Sequence, residues 1–413
     1  MKYDFETLLD RRGKDALAWD RVPMADAAGG FRSVPADQVQ TAPGFDHIPM
    51  WVADMNFPVF PGVIHSLRER IAHPSFGYFS PRQEYLDGIV WWHKSRKHME
   101  VAPENIGYEN GVLGGVISAI GVLCEPGGNV LVHSPTYIGF TNALTNNGYH
   151  IVHSPLVQDE KGVWRMDFAD MEEKIVGQKI HVMILCSPHN PSGRVWEREE
   201  LERLAALCEK HDVKIVADEI WSDIVRPGQV HVCTQSVNEW MKRNTVALYA
   251  PSKTFSLAGL VGAYHVIYDR SLKDRVDKRA SLSHYDEMNV LSMHAQMGAY
   301  TPEGAVWADE LNQVIASNVD FAVQYIEDHF EGVRVSKPEG TYMLFVDVTG
   351  WCQAHDKSLD EVLAAMVKCG VIGQDGRMFH GPCHIRLNLA LPRHKLEEAF
   401  ERMDKYVFNK EEN

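Results

Sequence analysis

The sequence has no basic tract. Its 413 residues include 41 Lys and Arg against 56 Asp and Glu, which gives a net charge of −15. Nucleic acids and anionic membranes are bound by clustered Lys and Arg, so neither is an expected partner. We therefore expect the ligand of this acidic chain to be a small molecule in a pocket.

Membrane-targeting segments and metal motifs are also missing. The opening MKYDFETLLD has no apolar core, so we expect no signal peptide. The longest nearly uncharged run, 112–124, is too short to span the ~30 Å hydrocarbon layer. The seven cysteines form no C-x-x-C pair, and no histidine pair has the H-E-x-x-H spacing. These absences predict a cytoplasmic protein with neither a disulfide framework nor a metal centre.

The middle of the chain alternates short apolar runs with helical patterns, without repeats or linkers. Expected strands cover 129–133, 150–153, 181–186, 214–218, 245–250 and 261–268, and expected helices cover 112–124, 138–146 and 197–211. Strands that alternate with helices and read as continuous apolar runs predict the α/β class, with a mostly parallel central sheet. Such sheets bind ligands at the carboxyl ends of their strands.

The pattern changes after residue 270. Residues 271–330 read as helical with few breaks, and after them come an expected strand at 342–348, a helix at 359–369, a strand at 384–390 and a helix at 395–407. This order predicts a smaller α+β domain. We expect an irregular N-terminal arm (1–45), a large α/β domain (46–290), and a connecting helix with the small C-terminal domain (291–413).

Reactive side chains follow the expected strands. Lys253 lies in a turn of small and apolar residues, where loss of its proton would make it a nucleophile. Asp218 ends an apolar strand, where a buried carboxylate needs a cationic partner. The turn CSPHNPSG presents Asn190, and a glycine-rich turn before residue 112 opens a helix whose free N–H groups suit a phosphate. Each feature alone has an ordinary explanation, as a surface lysine, a cap or a turn.

Together these features supply an amine for an aldehyde, a carboxylate for a ring nitrogen, an amide for a ring oxygen and a phosphate cradle. Those are the requirements of pyridoxal 5′-phosphate (PLP). Tyr137 follows another strand and adds an aromatic ring that can stack on the cofactor. Neither G-x-G-x-x-G nor G-K-[ST] is present, so a dinucleotide or a nucleoside triphosphate is not expected.

With these residues the sequence resembles the fold type I PLP-dependent enzymes, which have the aspartate aminotransferase fold, over essentially its whole length. Within them it is most similar to the MalY/PatB group of C–S β-lyases, which includes cystalysin-like enzymes. The segments that carry the resemblance are YDF at 3, WD at 19, WVADMNFP at 51, GYFSP at 77, SPHNPSGRVW at 187, DEI at 218, APSKTF at 250 and IRLNLA at 385.

The resemblance implies a lyase that cleaves the Cβ–S bond of an L-amino acid and releases a thiol, pyruvate and ammonia. It implies that Lys253 binds the cofactor covalently and serves as acid and base. Asp218 would pair with the pyridinium nitrogen, Asn190 would contact the 3′-oxygen, and Tyr137 would stack on the ring. Arg386, with Asn190 beside it, would bind the substrate α-carboxylate as a bidentate pair.

The resemblance also implies how the phosphate is bound. The main-chain amides of Val112 and Leu113 would hold it, together with Ser252. Tyr78 would reach the phosphate of a neighbouring subunit, so we expect a homodimer. The polar and aromatic segment 283–289 fits either packing within the helical region or a contact with the partner's site.

Some positions depart from the relatives. Ala250 and Val261 stand where many relatives of the wider fold carry a serine and an arginine that touch the phosphate, which favours the lyase group over mainstream transaminases. Trp221, Ile138 and Asn56 differ from the lyases themselves. We expect these three where the substrate side chain would sit.

Three hypotheses remain open at this point. The first is the C–S β-lyase, acting on cystathionine, cysteine or a cysteine S-conjugate. The second is an aminotransferase of class I/II, which uses the same residues to remove the Cα proton, so the motifs do not separate it from the lyase. The third is a regulatory or scaffold protein that binds PLP without catalysis, which the retained Lys253 and Arg386 disfavour.

Overall fold

The structure is a computed structural model that describes residues 1–24, 32–282 and 284–409. None of its helices in these residues is long and apolar enough to cross a membrane. The α-helices of these residues are α1 (Leu17–Asp20), α2 (Pro61–Ala72), α3 (Gln83–Arg96), α4 (Val112–Leu123), α5 (Ile138–Asn146), α6 (Phe168–Gly177), α7 (Arg198–His211), α8 (Glu239–Asn244), α9 (Arg270–Leu282), α10 (Val290–Ala299), α11 (Pro302–His329), α12 (Thr349–Ala354), α13 (Leu359–Lys368) and α14 (Arg393–Met403).

The same residues form four sheets. Their strands are β1 (Arg21–Met24), β2 (Arg32–Pro35), β3 (Ile48–Pro49), β4 (Ile106–Glu109), β5 (Asn129–Ser134), β6 (His150–Gln158), β7 (Trp164–Met166), β8 (Val182–Cys186), β9 (Lys214–Asp218), β10 (Thr245–Tyr249), β11 (Ala263–Val266), β12 (Arg334–Val335), β13 (Met343–Asp347), β14 (Val371–Ile372), β15 (Gln374–Asp375) and β16 (His384–Asn388).

The central sheet has the strand order β4-β11-β10-β9-β8-β5-β6-β7. Its middle strands β10, β9, β8, β5 and β6 pair in parallel, whereas β11 and β7 run antiparallel to their neighbours. Every residue of β8 and β10 is buried, because separate apolar cores cover the two faces of the sheet. The predicted α/β class with a mostly parallel central sheet is confirmed.

Two expectations from the sequence were incomplete. Strands β4 and β7 were not predicted, because a run of three or four residues with mixed burial gives no clear periodicity. The region 271–330 is helical with few breaks, as expected, but the positions of the breaks that separate α9, α10 and α11 were not predicted. Helix α11 begins at Pro302, where proline fits the first turn, and its N-terminal N–H groups are capped by Thr301.

The C-terminal region forms a second, antiparallel sheet in the order β12-β13-β16-β15, flanked by helices. This is the predicted α+β arrangement. Strand β16 lies between β13 and β15, so a side chain on it is surrounded by neighbouring strands. Arg386 is at the centre of this strand.

The N-terminal region is less irregular than predicted. Strands β1 and β2 pair in an antiparallel ladder, and β3 pairs in parallel with β14 of the C-terminal region. Phe5 packs edge-on against Phe57, with ring centroids 5.3 Å apart. The domain bounds at 45/46 and 290/291 stay a prediction, and residues 25–31 and 410–413 of the terminal parts lie outside the described residues.

Candidate active site

The carboxyl ends of three adjacent parallel strands, β8, β9 and β10, meet at one edge of the central sheet. Asn190 lies in the turn after β8, Asp218 is the last residue of β9, and Lys253 follows β10 by four residues. The chain direction of a parallel sheet therefore brings together three residues that are far apart in sequence.

Lys253 is partly buried and bound to the main chain. Its Nζ donates to the carbonyl oxygen of Ala53 at 2.9 Å and lies 5.4 Å from the centroid of the Trp221 ring. Burial, reinforced by the positive charge of Arg386, lowers the pKa of Lys253 to about 8, while Asp54 and Asp218 oppose the change. A substantial fraction of this amine is therefore neutral near physiological pH, as a nucleophile requires.

Asp218 is buried and has few donors. Its Oδ1 accepts the main-chain N–H of Ile220 at 3.1 Å. Among the described residues, no cationic side chain lies within 4.0 Å of its carboxylate, and burial raises the pKa of Asp218 to about 6. A carboxylate in this position would be stabilised by a cationic ligand group.

Arg386 is a buried cation that crosses from the small sheet to the large one. Its Nη1 donates to Oδ1 of Asn190 at 3.1 Å, and its Nη2 donates to the carbonyl oxygen of Trp51 at 3.1 Å and to Oε1 of Gln374. One face of the guanidinium lies 4.2 Å from the centroid of the Phe379 ring. These contacts fix the orientation of the planar group.

All the acceptors of Arg386 are neutral. Among the described residues it forms no ion pair, and its buried Nε has no hydrogen-bond partner. Burial lowers its pKa to about 10. A buried arginine without an acid is a ready site for a ligand carboxylate. Because Oδ1 of Asn190 already accepts from Arg386, the Nδ2 of that amide is left to donate to a ligand.

A short main-chain segment forms the facing wall. All five carbonyl oxygens from residue 51 to 55 accept hydrogen bonds from side chains. The donors are Arg386 to residue 51, Asn388 to residues 52 and 54, Lys253 and Tyr342 to residue 53, and Arg11 to residue 55. The two candidate ligand-binding cations are thus tied to the same segment, which links them across the cleft.

The start of α4 provides an anion site. Gly111 precedes the helix with φ of +87°, a conformation that favours glycine. The N–H groups of Val112 and Leu113 belong to the first turn, where no helical acceptor exists for them. Ser252, beside Lys253, is partly buried. The predicted phosphate ligands of this chain therefore follow β4 and β10, two strands of the central sheet that are separated by β11.

Tyr137 and Tyr78 have opposite surroundings. Tyr137 lies directly before α5 and packs edge-on against Phe140, with ring centroids 5.4 Å apart. Burial raises its pKa, which is also affected by Arg386 and Asp218, so these charges are near its hydroxyl. Tyr78 is fully exposed and lies within a run, residues 71–84, in which every residue is exposed. The single chain does not bring Tyr78 to the other candidate residues.

The positions that depart from the relatives have different roles. Trp221 packs edge-on against Tyr342 at 4.7 Å, below Lys253, and Ile138 packs with an apolar cluster that includes Phe379. Both therefore border the cleft, as expected. Asn56 does not: its Oδ1 accepts the indole N–H of Trp19 at 2.8 Å, so it binds the N-terminal region. For Asn56 the expectation was wrong.

The structure also shows where Ala250 and Val261 lie, the two positions at which many relatives carry a side chain that touches the phosphate. Val261 lies in the left-handed region with φ of +50°, and its Cγ1 is 3.6 Å from the point where a Cβ on Gly111 would lie. An apolar side chain thus borders the anion site. Ala250 is buried directly after β10.

One cluster of possible metal ligands exists in the described part of the chain. The donor atoms of Glu219, His231 and Cys233 lie within 4.8 Å of one another. Both carboxylate oxygens of Glu219 already accept hydrogen bonds, Oε1 from the main-chain N–H of Thr234 at 2.7 Å and Oε2 from His231 and Tyr249. These bonds account for the cluster as a support for the end of β9.

Several residues of the cleft were not found from the sequence. They are Gln374, Asn388, Tyr342, Phe379 and the carbonyl oxygen of Ala53. Asn388 had a signal, since it is two residues after Arg386 and therefore on the same face of β16. Gln374, Tyr342 and Phe379 lie outside the quoted motifs. Ala53 lies within the motif WVADMNFP, but a carbonyl oxygen has no sequence signature.

Known proteins are similar to this chain over nearly their whole length. Cystathionine β-lyase PatB of Bacillus subtilis is 33% identical to this chain over 403 residues, which cover 97% of this chain and 98% of PatB. Among solved structures, cystalysin of Treponema denticola, which contains a pyridoxal 5′-phosphate cofactor, has a TM-score of 0.88 at 27% identity and covers 98% of this chain and 99% of its own. A PLP-bound putative aminotransferase of Clostridium difficile has a TM-score of 0.86 at 32% identity, covering 98% of this chain and 99% of its own.

These similarities confirm the resemblance found in the sequence. The chain is related over its full length to the PatB, MalY and cystalysin proteins, and the family uses PLP and acts on amino acids. The family profile described as aminotransferase class I and II matches residues 46–403, and the chain therefore belongs to that family.

Proposed function

We propose that this protein is a PLP-dependent C–S β-lyase, which cleaves the Cβ–S bond of an L-amino acid such as cystathionine or a cysteine S-conjugate. The observation that carries the proposal of an amino-acid substrate is the uncompensated, buried Arg386 beside Lys253 and Asp218. The choice of a lyase is supported by the identity of 33% to a cystathionine β-lyase of the same extent.

The residues present fit PLP. A phosphate needs oriented N–H donors, which the first turn of α4 supplies at Val112 and Leu113. A pyridinium nitrogen needs a carboxylate, and the buried Asp218 has no cationic side chain within 4.0 Å among the residues that the structure describes. An aldehyde needs a neutral amine, which Lys253 supplies because burial lowers its pKa. Ser252 would add a hydroxyl to the phosphate, and Tyr137 would cover one face of the ring.

PLP, when bound, supplies a conjugated ring that accepts the electron pair of the substrate's Cα–H bond. Arg386 would bind the α-carboxylate through its fork of N–H groups, with the Nδ2 of Asn190 donating beside it. Lys253 would take the Cα proton as a neutral amine, and the carboxylate of Asp218 would hold a positive charge on the ring nitrogen. By binding the α-carboxylate, Arg386 would orient the Cα–H bond towards Nζ of Lys253.

The balanced reaction requires one water. The Cα–H bond breaks and its proton goes to Lys253, the Cβ–S bond breaks, and the thiolate leaves with the electron pair and is protonated. The remaining unsaturated amine takes up water to give pyruvate and ammonia. For L-cystathionine the products are homocysteine, pyruvate and ammonia.

A homodimer is part of the proposal. The exposed run 71–84 includes the apolar residues Ile71, Phe76, Tyr78 and Phe79, which a monomer would leave in water. Pairing of two chains through this run would carry Tyr78 to the phosphate of the partner. The seven cysteines are unpaired, which supports a cytoplasmic, reducing location.

The second candidate is a class I/II aminotransferase. The similarity that favours it is the PLP-bound putative aminotransferase at 32% identity and a TM-score of 0.86. Both functions need the same Lys253, Asp218 and Arg386, because both begin with removal of the Cα proton. They differ in whether a keto-acid acceptor is needed.

Purified protein tests the choice. It is incubated with L-cystathionine alone and, separately, with an amino acid and 2-oxoglutarate. Pyruvate and ammonia formed without an acceptor, in equal amounts, support the lyase. Glutamate formed only with the acceptor, and no pyruvate from cystathionine, supports the aminotransferase and contradicts the lyase. A protein that acquires no absorbance at the visible edge on addition of PLP would contradict both.

A further inference from the structure

The turn before α4 is held in place by a tyrosine from a distant segment. The hydroxyl of Tyr285 donates to the carbonyl oxygen of Asn110 at 2.7 Å and lies 3.4 Å from that of Gly111. Tyr285 follows α9, and its own N–H donates to the carbonyl oxygen of Ala280 at 3.0 Å. Helix α9 packs against α4, so the phenol spans from one helix to the turn that opens the other.

This contact bears on one expectation from the sequence. The segment 283–289, of which Ser283 lies outside the described residues, was expected either to pack within the helical region or to reach a partner's site. The structure places Tyr285 on the anion-binding turn of its own chain.

Gly114 shows that the position of this phenol is specific. A Cβ at residue 114 would lie 1.4 Å from Oη of Tyr285 and 2.3 Å from its Cζ. Residue 114 is in the first turn of α4, where alanine would be more favourable than glycine by about 1 kcal/mol. Glycine at this position is therefore explained by the approach of Tyr285.

The neighbouring Gly115 has a different reason. A Cβ there would lie 2.6 Å from Cδ2 of Leu248 on β10, so this glycine lets the helix pack on the sheet. The two adjacent glycines thus serve two faces of α4, one towards the sheet and one towards Tyr285.

The turn has a particular need for such support. Val261, the side chain beside Gly111, is apolar and contributes no charge to an anion. The phosphate must then be bound chiefly by main-chain N–H groups, whose directions depend on the backbone at residues 110 and 111. The hydroxyl of Tyr285 fixes that backbone by donating to the carbonyl oxygens of the turn. The N–H groups of Val112 and Leu113 are left free for the anion.

We propose that Tyr285 is a positioning residue for the phosphate of the cofactor, acting through the carbonyl oxygen of Asn110. The inference rests on the proposed function, because it assigns the phosphate of PLP to the start of α4. The inference gives a role in cofactor binding to Tyr285, which comes from a segment that does not contact the reacting atoms. Tyr285 orients the turn, and the turn binds the anion.

The first test compares two ligands that differ only in the phosphate. The full chain freed of cofactor is titrated with PLP and with pyridoxal, and binding is followed by absorbance. In Tyr285→Phe the Kd for PLP rises about three- to tenfold, as expected for one lost hydrogen bond, while the Kd for pyridoxal stays within about twofold. Equal weakening of both ligands, or no change in either, would overturn the inference.

A matched control is Tyr268→Phe. The hydroxyl of Tyr268 also donates to a main-chain carbonyl, that of Glu100, at 2.7 Å, but away from α4. This variant should bind both ligands as the unaltered protein does. If it weakens PLP binding as strongly as Tyr285→Phe, the effect is a general one and the inference is wrong.

The second test uses the close approach of the two residues. Gly114→Ala alone should weaken PLP binding by more than about tenfold, because the new methyl group displaces the phenol. In a Tyr285→Ala background the same change should weaken PLP binding by less than about threefold. An equal loss of PLP affinity in the two backgrounds would contradict a contact between Gly114 and Tyr285. Circular dichroism checks that each variant is folded.

The outcomes separate this inference from the proposed function. If the unaltered protein does not bind PLP at all, the proposed function fails. If it binds PLP and Tyr285→Phe binds it equally well, only the role of Tyr285 fails.

Discussion

The two sides of the cleft carry charge in different ways. On the large-sheet side, Asp218 and Lys253 have pKa values moved by burial to about 6 and about 8, so both can change charge near neutral pH. On the small-sheet side, Arg386 keeps its charge, with a pKa of about 10, although it is buried and has only neutral acceptors. In the proposed function, one side would transfer protons and the other would attract an anion permanently.

The difference follows from the supporting contacts. Lys253 has one hydrogen bond, to the carbonyl oxygen of Ala53, so its amine can be released easily. Arg386 has three acceptors and a ring against its face, so it stays in one orientation. A group that reacts needs freedom and a shifted pKa, whereas a group that orients a substrate needs rigidity.

The largest expected effect is at Lys253. Lys253→Ala removes the amine that would take the Cα proton, and kcat should fall by at least about a thousandfold. The measurement is pyruvate release from L-cystathionine. The control is Lys214→Ala, at the opposite end of β9, which should keep normal turnover. Full activity of Lys253→Ala would refute the assignment.

Asp218→Asn tests the same side of the cleft without removing the amine. The amide cannot balance a positive ring nitrogen, so kcat should fall about 10- to 100-fold with little change in KM. Steady-state kinetics measure the two constants separately. Asp212→Asn, an exposed position just before β9, should leave both unchanged. A change confined to KM would contradict the assigned role of Asp218.

Arg386→Lys tests the other side. Lysine keeps the charge but not the planar fork, so KM should rise about tenfold while kcat changes less. Arg402→Lys is the matched control, because Arg402 is also buried but is paired with Asp46 and Glu398. That variant should lose thermal stability and keep its KM. If Arg386→Lys lowers kcat alone, the two sides of the cleft do not divide their tasks in this way.

The pH dependence of cofactor capture should follow the titration of Lys253 on the large-sheet side. The neutral fraction of Lys253 rises about tenfold per pH unit well below its pKa of about 8, is one half at that pH and levels off about one unit above it. The rate at which the cofactor-free chain captures PLP, followed by absorbance, should therefore rise from pH 6 through a midpoint near 8 and become constant about one pH unit above that midpoint. Arg386→Lys should show the same midpoint within about half a pH unit. A flat profile would contradict the lowered pKa.

The smallest predicted effect is a shift of that midpoint. The negative charge of Asp218 raises the pKa of Lys253, so Asp218→Asn should move the midpoint to lower pH. Capture rates measured in matched buffers at constant ionic strength check the direction. A shift to higher pH would show that the two groups do not interact as their positions indicate.

The sequence predicted the large-sheet side better than the small-sheet side. Asp218 and Lys253 follow apolar strands, and the ends of parallel strands must meet, so strand prediction alone places them together. Arg386 was identified only by resemblance, because pairing of β16 with β13 depends on contacts between residues 37 to 45 positions apart. Tyr285 and Gly114 were beyond prediction for the same reason, since 171 residues separate them in the chain.

Local rules also failed where tertiary contacts decided the outcome. Asn56 was expected where the substrate side chain would sit because it departs from the related lyases, but its side chain turns to Trp19. Its amino-acid type was compatible with the prediction, and packing against the N-terminal region decided otherwise. The breaks in the helical region 271–330, by contrast, have a local cause where Thr301 and Pro302 start α11.

The wall formed by residues 51–55 has a consequence for variation among related proteins. Its contacts to Lys253, Arg386, Asn388 and Arg11 use carbonyl oxygens, which every amino acid possesses. Side chains in this segment can therefore be exchanged during evolution, or by design, without removing those acceptors. The ion pair of Arg11 with the side chain of Asp54 is the exception. A cleft anchored mainly through carbonyl oxygens can change its substrate preference while its reactive groups stay in place.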